Sequence, residues 1–471
     1  MKRTAALYLP IPLLAAAALL LSLNSCGSSS SVHTTPPSSP IKHVIVIFQE
    51  NRTPDNLFHD PVLIANGADI ADSGQNSLGQ TIQLAPTSLG VDYDLNHGHS
   101  GFVAMYDNGK MDGADRVTIS CAKGATNCPP PNAQFMYVQA SDVGPYFQMA
   151  EQYTFGDRMF QTNQGPSFPA HQFIFSGTSA PTATSNLFDS ENPQGASGNA
   201  GCIAPPEEFV YLIDPSGAES STTYPCFEHA TLADELDAKS ITWRYYTPSA
   251  GSIWTAPNAI QHECGPNVTP PNATACTSSD WINNVVFYTT QNPAPILTDI
   301  ASNQLATVSW VIPAGVNSDH AGSTATVGGP DWVASIVNAI GASPYWSDTA
   351  ILITWDDWGG WFDHVAPTVI NDGTSWGSGY AYGFRVPLIV ISPYAKAGYI
   401  SHATHDFGSI LHFIEATFAL PSLGYADARA DDLSDCFNYN QTPIVFQTIN
   451  TTVGADFFLH DKRPPTDPDD D

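Results

Sequence analysis

The chain has 471 residues and 42% hydrophobic content, enough for a sizeable core in one large domain or two ordinary ones. Forty-five acids against 15 bases leave a formal charge of -30. That excludes a general nucleic-acid binder, which needs clustered Lys and Arg, and adhesion to anionic lipid through a basic patch; an anionic substrate would need a local cation to offset the field.

Lys2 and Arg3 precede a long Ala- and Leu-rich run to about residue 23, and residues 1–25 read as a secretory signal. The run ends in Leu23-Asn24-Ser25-Cys26, followed by Gly27 and a run of serines. This resembles the lipobox of bacterial lipoproteins, in which the cysteine is lipidated and becomes the mature N-terminus, although Asn24 replaces the usual small residue. The resemblance implies membrane attachment through Cys26 in the cell envelope, periplasm or outer membrane; a plain cleaved signal with secretion and a retained anchor are the alternatives. Residues 26–40 read as a flexible Ser, Thr and Pro tether. Of eight cysteines, the sequence-near pairs Cys121–Cys128, Cys202–Cys226 and Cys264–Cys276 are candidate disulfides, with Cys436 left free, although spacing alone does not fix the connectivity. There is no CxxC pair to support a zinc ribbon.

Residues 41–49, IKHVIVIFQ, are a near-continuous apolar run suited to a parallel strand covered on both faces. The run leads into Glu50, Asn51 and Arg52. Glu50 and Asn51 offer oxygens suited to a hard divalent cation, and Arg52 offers a fork for a carboxylate or phosphate; an acidic first turn of a helix is the plainer alternative. His97 and His99 lie in a polar segment before a short helical pattern. Residues 145–152 look helical. Gly165 and Pro166 then make a turn that presents Ser167, with Ala170 and His171 on the next element. Locally, a serine after Gly-Pro is most simply a turn or cap residue.

Residues 182–290 are rich in Pro, Gly, Ser and Asn and hold four of the cysteines. They predict a loop-rich insertion near the mouth of a site, with a helix over 228–239 and a strand over 240–246 as core elements inside it. A strand is predicted over 306–312, followed by Asp319 and His320, and an amphipathic helix over 329–340. Residues 351–355 are a buried strand ending in two adjacent carboxylates, Asp356 and Asp357. Carboxylates so placed repel unless a cation joins them or a proton is shared, and ligands sit past the carboxyl ends of such strands. Asp356 and Asp357 are therefore read as metal ligands. Gly359 and Gly360 would let backbone approach a bound group, and Asp363 and His364 close the segment. A further buried strand is predicted over 385–394 and a helix over 401–420, with His402, His405 and Asp406 at its start read as mainly structural. Residues 461–471 read as an acidic, disordered tail.

The stretch HVIVIFQENRTPDNLF resembles the opening motif of the bacterial phosphoesterase family that holds phospholipases C and an acid phosphatase, although Thr53-Pro54-Asp55 stands where the family has Ser-Phe-Asp. The segments 91–113, QTNQGPSFPAHQFIFSGT, Asn317-Ser318-Asp319-His320 and 351–365 are similar to further family blocks, so a catalytic domain over 41–460 is expected. The resemblance implies an alkaline-phosphatase-like fold, a three-layer α/β/α sandwich around a mostly parallel sheet. It also implies a serine nucleophile that is a metal ligand, Ser167, and an Asn in the family where this chain has Ala170. A divalent ion, with Ca, Mg or Mn favoured by oxygen-rich ligation and Zn as the alternative, would be held by Glu50, Asn51, Ser167, Asp356 and Asp357. His97, His320 and His364 would donate hydrogen bonds or protons to phosphoryl and leaving-group oxygens, and Arg52, His99 and Asp319 would contact substrate. The expected activity is a phospholipase C on phospholipid, with an acid phosphatase or phosphodiesterase on soluble esters as the alternative. A non-catalytic surface binding lipoprotein is the alternative from a different class. Trp358, Trp361 and Trp376 permit an aromatic cage for a quaternary ammonium head group.

Overall fold

The computed structural model describes residues 39–196, 198–322, 328–371 and 379–466. The expected signal segment, Cys26, most of the tether, Trp376 and the end of the tail lie outside the described residues. The apolar runs become the strands of one nine-stranded sheet. In chain order these are β1 (His43–Gln49), β2 (Thr154–Phe160), β3 (Trp243–Thr247), β4 (Val285–Phe287), β5 (Val308–Val311), β6 (Thr349–Trp355), β7 (Arg385–Ile391), β8 (Tyr399–Ser401) and β9 (His405–Asp406). Their spatial order is β4-β3-β5-β1-β6-β7-β2-β8, with β9 also on β2. β1 pairs in parallel with both β5 and β6 at the centre, and β7 runs antiparallel to its two neighbours.

The helices used below are α1 (Ala140–Gln152), α2 (Ser167–Ser176), α3 (Leu232–Ala238), α4 (Gln261–Cys264), α5 (Gly329–Gly341) and α6 (Phe407–Phe418). Phe48 and Thr354 are register partners, and so are Gln49 and Trp355. Phe48 packs on His171 of α2 at 5.9 Å, whereas Trp355 packs on Tyr146 of α1 at 5.1 Å. Successive strand positions thus face opposite helix layers, with α1 and α5 packed together on one side and α2 and α6 on the other. The sheet is covered on both faces, which is why β1, β6 and β7 are apolar nearly throughout rather than alternating. This is the expected α/β/α architecture with a mostly parallel sheet.

Residues 182–290 are more ordered than a loop-built insertion. β3 and β4 belong to the central sheet, and Phe188–Asp189, Val210–Ile213 and Glu219–Thr223 form a small sheet of their own. Three disulfides close as paired above, and Cys436 is a buried free thiol. Two expectations need correction. The helix predicted over 401–420 starts only at Phe407, because His405 and Asp406 are first used to pair with β2. The tail is tied down as far as Thr466: its carbonyl accepts from Gly315 N at 2.7 Å, and Arg463 donates to the Val316 carbonyl and to Asn317 Oδ1.

Candidate active site

β1 and β6 end level with one another, because Gln49 pairs with Trp355. The next residue on each strand, Glu50 and Asp356, continues the alternation and faces the α2 layer. There α2 delivers Ser167 at its first position and His171 one turn later. Residues four apart share a helix face, so the serine and the histidine point together. An oxygen of Glu50, an oxygen of Asp356 and a ring nitrogen of His171 lie within 4.8 Å of one another, and all three residues are buried. His171 Nε2 is 3.6 Å from Glu50 Oε1 and 3.7 Å from Asp356 Oδ2. The Ser167 hydroxyl is 3.2 Å from Asp357 Oδ2, the carboxylate whose Oδ1 accepts from Gly359 N at 2.7 Å.

The donor set fits a dication. Burial pushes the His171 imidazole down to about 4, so the ring is neutral at pH 7. Its Nδ1 is 3.4 Å from the Tyr245 hydroxyl, which leaves the Nε2 lone pair toward the two acids. Asp356 Oδ1 accepts from Asn51 N and Asp357 N, while its Oδ2 has no hydrogen-bond partner. Asn51 Oδ1 and His171 Nε2 are equally buried and unpartnered. Buried polar atoms are normally bonded, so a cluster of orphaned acceptors with no proton between them is the signature of a cation site.

Asn51 is held by a left-handed backbone (φ 64) and by its Nδ2, 3.0 Å from His97 Nε2. His97 Nδ1–H donates to the Leu95 carbonyl at 2.7 Å, which puts the ring's lone pair on Nε2. His320 stands 5.5 Å from His97 by ring centroids, with its own Nδ1 on the Ala321 carbonyl. In the neutral tautomer both rings therefore carry the proton on Nδ1 and the lone pair on Nε2. The structure brings together Glu50, Asn51, Ser167, Asp356, Asp357, His97 and His320. A cleft of about 350 Å³ opens beside them, lined by His97, Pro166, Asn192, Asp94 and Glu191 among others.

Four expected residues are placed differently. Arg52 is fully buried, and its guanidinium donates to the Asp319 and Leu89 carbonyls and to Asn56 Oδ1, so it presents no fork to a substrate. Asp319 lies beneath the sheet end, where its Oδ2 accepts from Tyr146 and Trp355, and burial pushes its carboxyl up to about 6. His99 ties the cleft rim, its ring bridging the Gln164 and Gly217 carbonyls and its N–H donating to Glu191 Oε1. His364 has both ring nitrogens on carboxylates, Asp55 at 2.7 Å and Asp69 at 3.0 Å. Burial opposes its charge, but the Asp55 hydrogen bond and the surrounding acids raise it to about 9. It belongs to a buried network in which Arg385 grips Asp363 and meets Asp55. Asp55, which follows the Thr53-Pro54 departure from the family's Ser-Phe, thus serves the scaffold.

Trp358 and Trp361 are also redirected. Both are fully buried in a core cluster with Phe384 and Phe102, so neither forms a cage. Gly359 and Gly360 permit a close approach to the chain itself rather than to a ligand: a Cβ on Gly359 would lie 2.2 Å from the Asn51 carbonyl, and one on Gly360 2.3 Å from Leu95 Cβ. His171 is the site residue that sequence reasoning missed. Its signal is the four-residue step from Ser167 at a helix start.

Residues 41–421 match the Phosphoesterase family. A non-hemolytic phospholipase C of Pseudomonas aeruginosa is 27% identical over 349 residues, 68% of this chain and 46% of that protein, so this chain spans about half its length. Phospholipase C B of Mycobacterium tuberculosis is 23% identical over 449 residues, covering 86% of this chain and 78% of that protein. Among solved structures, a protein in the alkaline phosphatase superfamily from Vibrio parahaemolyticus matches at TM-score 0.36 and 9% identity, over 86% of this chain and 75% of that one. With a family match running from the first strand to the end of the last sheet-covering helix, the chain belongs to the phosphoesterase family.

Proposed function

We propose that this chain is a phospholipase C that hydrolyses phosphoesters through Ser167 with a divalent ion held by Glu50, Asn51, His171, Asp356 and Asp357. The observation that carries the reading is the Ser167 hydroxyl at 3.2 Å from Asp357, beside the buried Glu50, His171 and Asp356 cluster. A bound dication supplies Lewis-acid stabilisation of the serine alkoxide and of the charge that develops on phosphoryl oxygens. Ser167 sits on the first turn of a ten-residue helix, where the aligned peptide dipoles also favour negative charge. Its Oγ attacks phosphorus, the phosphorus–glycerol oxygen bond breaks, and diacylglycerol leaves. Water then attacks the phosphoseryl group and frees the phosphorylated head group. His320 and His97, each with Nε2 as acceptor at rest, take up the Ser167 proton and pass it to the leaving glycerol oxygen, then take a proton from the incoming water and pass it to the departing Ser167 oxygen.

The cleft favours a lipid head group over a phosphomonoester. Asp94 and Glu191 line it, and carboxylates repel a dianionic phosphate while attracting a positively charged amino alcohol. The test measures para-nitrophenol release from its phosphorylcholine and phosphate esters by wild type and Ser167→Ala, with and without chelator, followed by a phospholipid panel. Preferential release from the phosphorylcholine ester, lost with Ser167→Ala and with chelator, is expected. Preference for the phosphate ester would favour a soluble-ester phosphatase. No release from either would favour a non-catalytic binding lipoprotein. Envelope anchoring through Cys26 has its own test: the wild-type precursor should enter the detergent phase of a bacterial extract, and Cys26→Ala should not.

A further inference from the structure

A second group of metal-binding side chains lies in the 182–290 region, on α3 and α4. His262 Nε2 is 3.2 Å from Asp234 Oδ2 and 3.7 Å from Glu263 Oε1, and neither contact has hydrogen-bond geometry. One donor atom from each of the three residues lies within 4.8 Å of the others. Ligands on a tetrahedral zinc ion, at bond lengths of about 2.0–2.1 Å, stand about 3.3 Å apart, close to the two spacings seen. Glu263 is 2% exposed, and its Oε2 has no hydrogen-bond partner. A buried carboxylate oxygen left without a donor is costly unless something positive faces it.

The outer contacts fit as well. Glu228 Oε1 is 2.9 Å from His262 Nδ1, which places the proton there and the lone pair on Nε2, toward Asp234 and Glu263. A carboxylate behind a ligating histidine is the usual arrangement at zinc sites. Thr231 donates to Glu263 Oε1 at 2.8 Å and, through its backbone N–H, to Asp234 Oδ2 at 2.8 Å, so both carboxylates are themselves oriented. The Cys264–Cys276 disulfide fixes the end of α4 one residue beyond Glu263. Asp280 adds negative charge nearby. An imidazole with two carboxylates suits zinc or a similar late transition dication better than calcium or magnesium, which take oxygen alone.

We propose that His262, Asp234 and Glu263 form a second, structural binding site for a zinc-type dication, with water completing the coordination on the solvent side. The ion would pin α4 to α3, the helix that feeds β3. The competing description is a protonated His262 held in an ion-pair cluster.

The full chain is stripped with chelator and dialysed against zinc alone, and bound metal is counted for wild type, His262→Gln and Glu228→Gln. Wild type should bind one equivalent more than His262→Gln, while phosphoester hydrolysis stays unchanged in that variant. In an Asp356→Asn background, zinc should still raise Tm, and adding His262→Gln should remove that rise. Should His262→Gln fail to fold, Glu228→Gln decides. Its carboxyl is half exposed, and its loss should weaken the second equivalent by at least about tenfold. Equal zinc uptake and equal affinity across the three chains would overturn the proposal in favour of the protonated cluster.

Discussion

Ser167 and Glu191 carry the sharpest consequences at the residue scale. Ser167→Ala removes the atom that attacks phosphorus and leaves its buried surroundings intact. Turnover should fall at least ~10³-fold with Tm unchanged, and a fully active variant would falsify the nucleophile. His171→Phe should lower metal affinity by more than tenfold in titration, because it removes a neutral nitrogen from the ligand group. Burial, with Glu219 alongside, pushes the Glu191 carboxyl up to about 7. A raised carboxyl pKa means the neutral acid persists to higher pH, so the cleft gains a negative charge as pH rises through 7. KM for the phosphorylcholine ester should therefore fall between pH 6 and pH 8 by roughly threefold to tenfold, equivalent to about 0.7–1.4 kcal/mol. Glu191→Gln should flatten that profile, and matching profiles for variant and wild type would remove Glu191 from head-group recognition.

The decisive element is the pair β1 and β6, whose parallel register sets Glu50 beside Asp356. The loop after β6 must then turn back at once, and Gly359, with φ 63, lies against the Asn51 carbonyl. Gly359→Ala adds both a left-handed strain and a clash with a ligand-bearing backbone. It should cost at least ~1–2 kcal/mol in denaturant unfolding and weaken the metal as Asn51 shifts. The strands were legible because runs such as 351–355 and 385–391 are apolar and β-branched on both faces. β2 was not, because Gly156, Asp157 and Arg158 interrupt its pattern. Asp157 becomes tolerable only in place, where it accepts from Asp69 N and lies 2.8 Å from His402 Nδ1.

For the whole molecule, two electrostatic patterns matter. Forty-five acids stand against 15 bases, so self-repulsion opposes the compact state at low ionic strength. Tm should rise by about 1–3 °C between 10 and 150 mM salt, and a fall would contradict this. One buried cluster is instead held by paired charges. Arg385 is fully buried and bonds Asp363 and Asp55. Arg385→Met would strand two carboxylates, and a loss of about 3–5 kcal/mol is expected in chemical unfolding. Loss of activity without loss of stability would instead place that network in catalysis.

The sequence by itself determined the strand-to-carboxylate junctions at Glu50 and Asp356 and the order of strands and helices behind the layered fold, while it offered the three cysteine pairs only as candidates and marked Ser167 only through the family resemblance. The first two are local: an apolar run or a polar stop says what it is without knowing its neighbours. Tertiary structure alone decided which of the remaining polar residues serve the site. Arg52, Asp319 and His364 look as reactive in the chain as His97 and His320 do. Their partners lie as many as 309 residues away in sequence, and those partners occupy each guanidinium nitrogen of Arg52 and both ring nitrogens of His364. A side chain's chemistry is set by what meets it in space, and only folding assigns that.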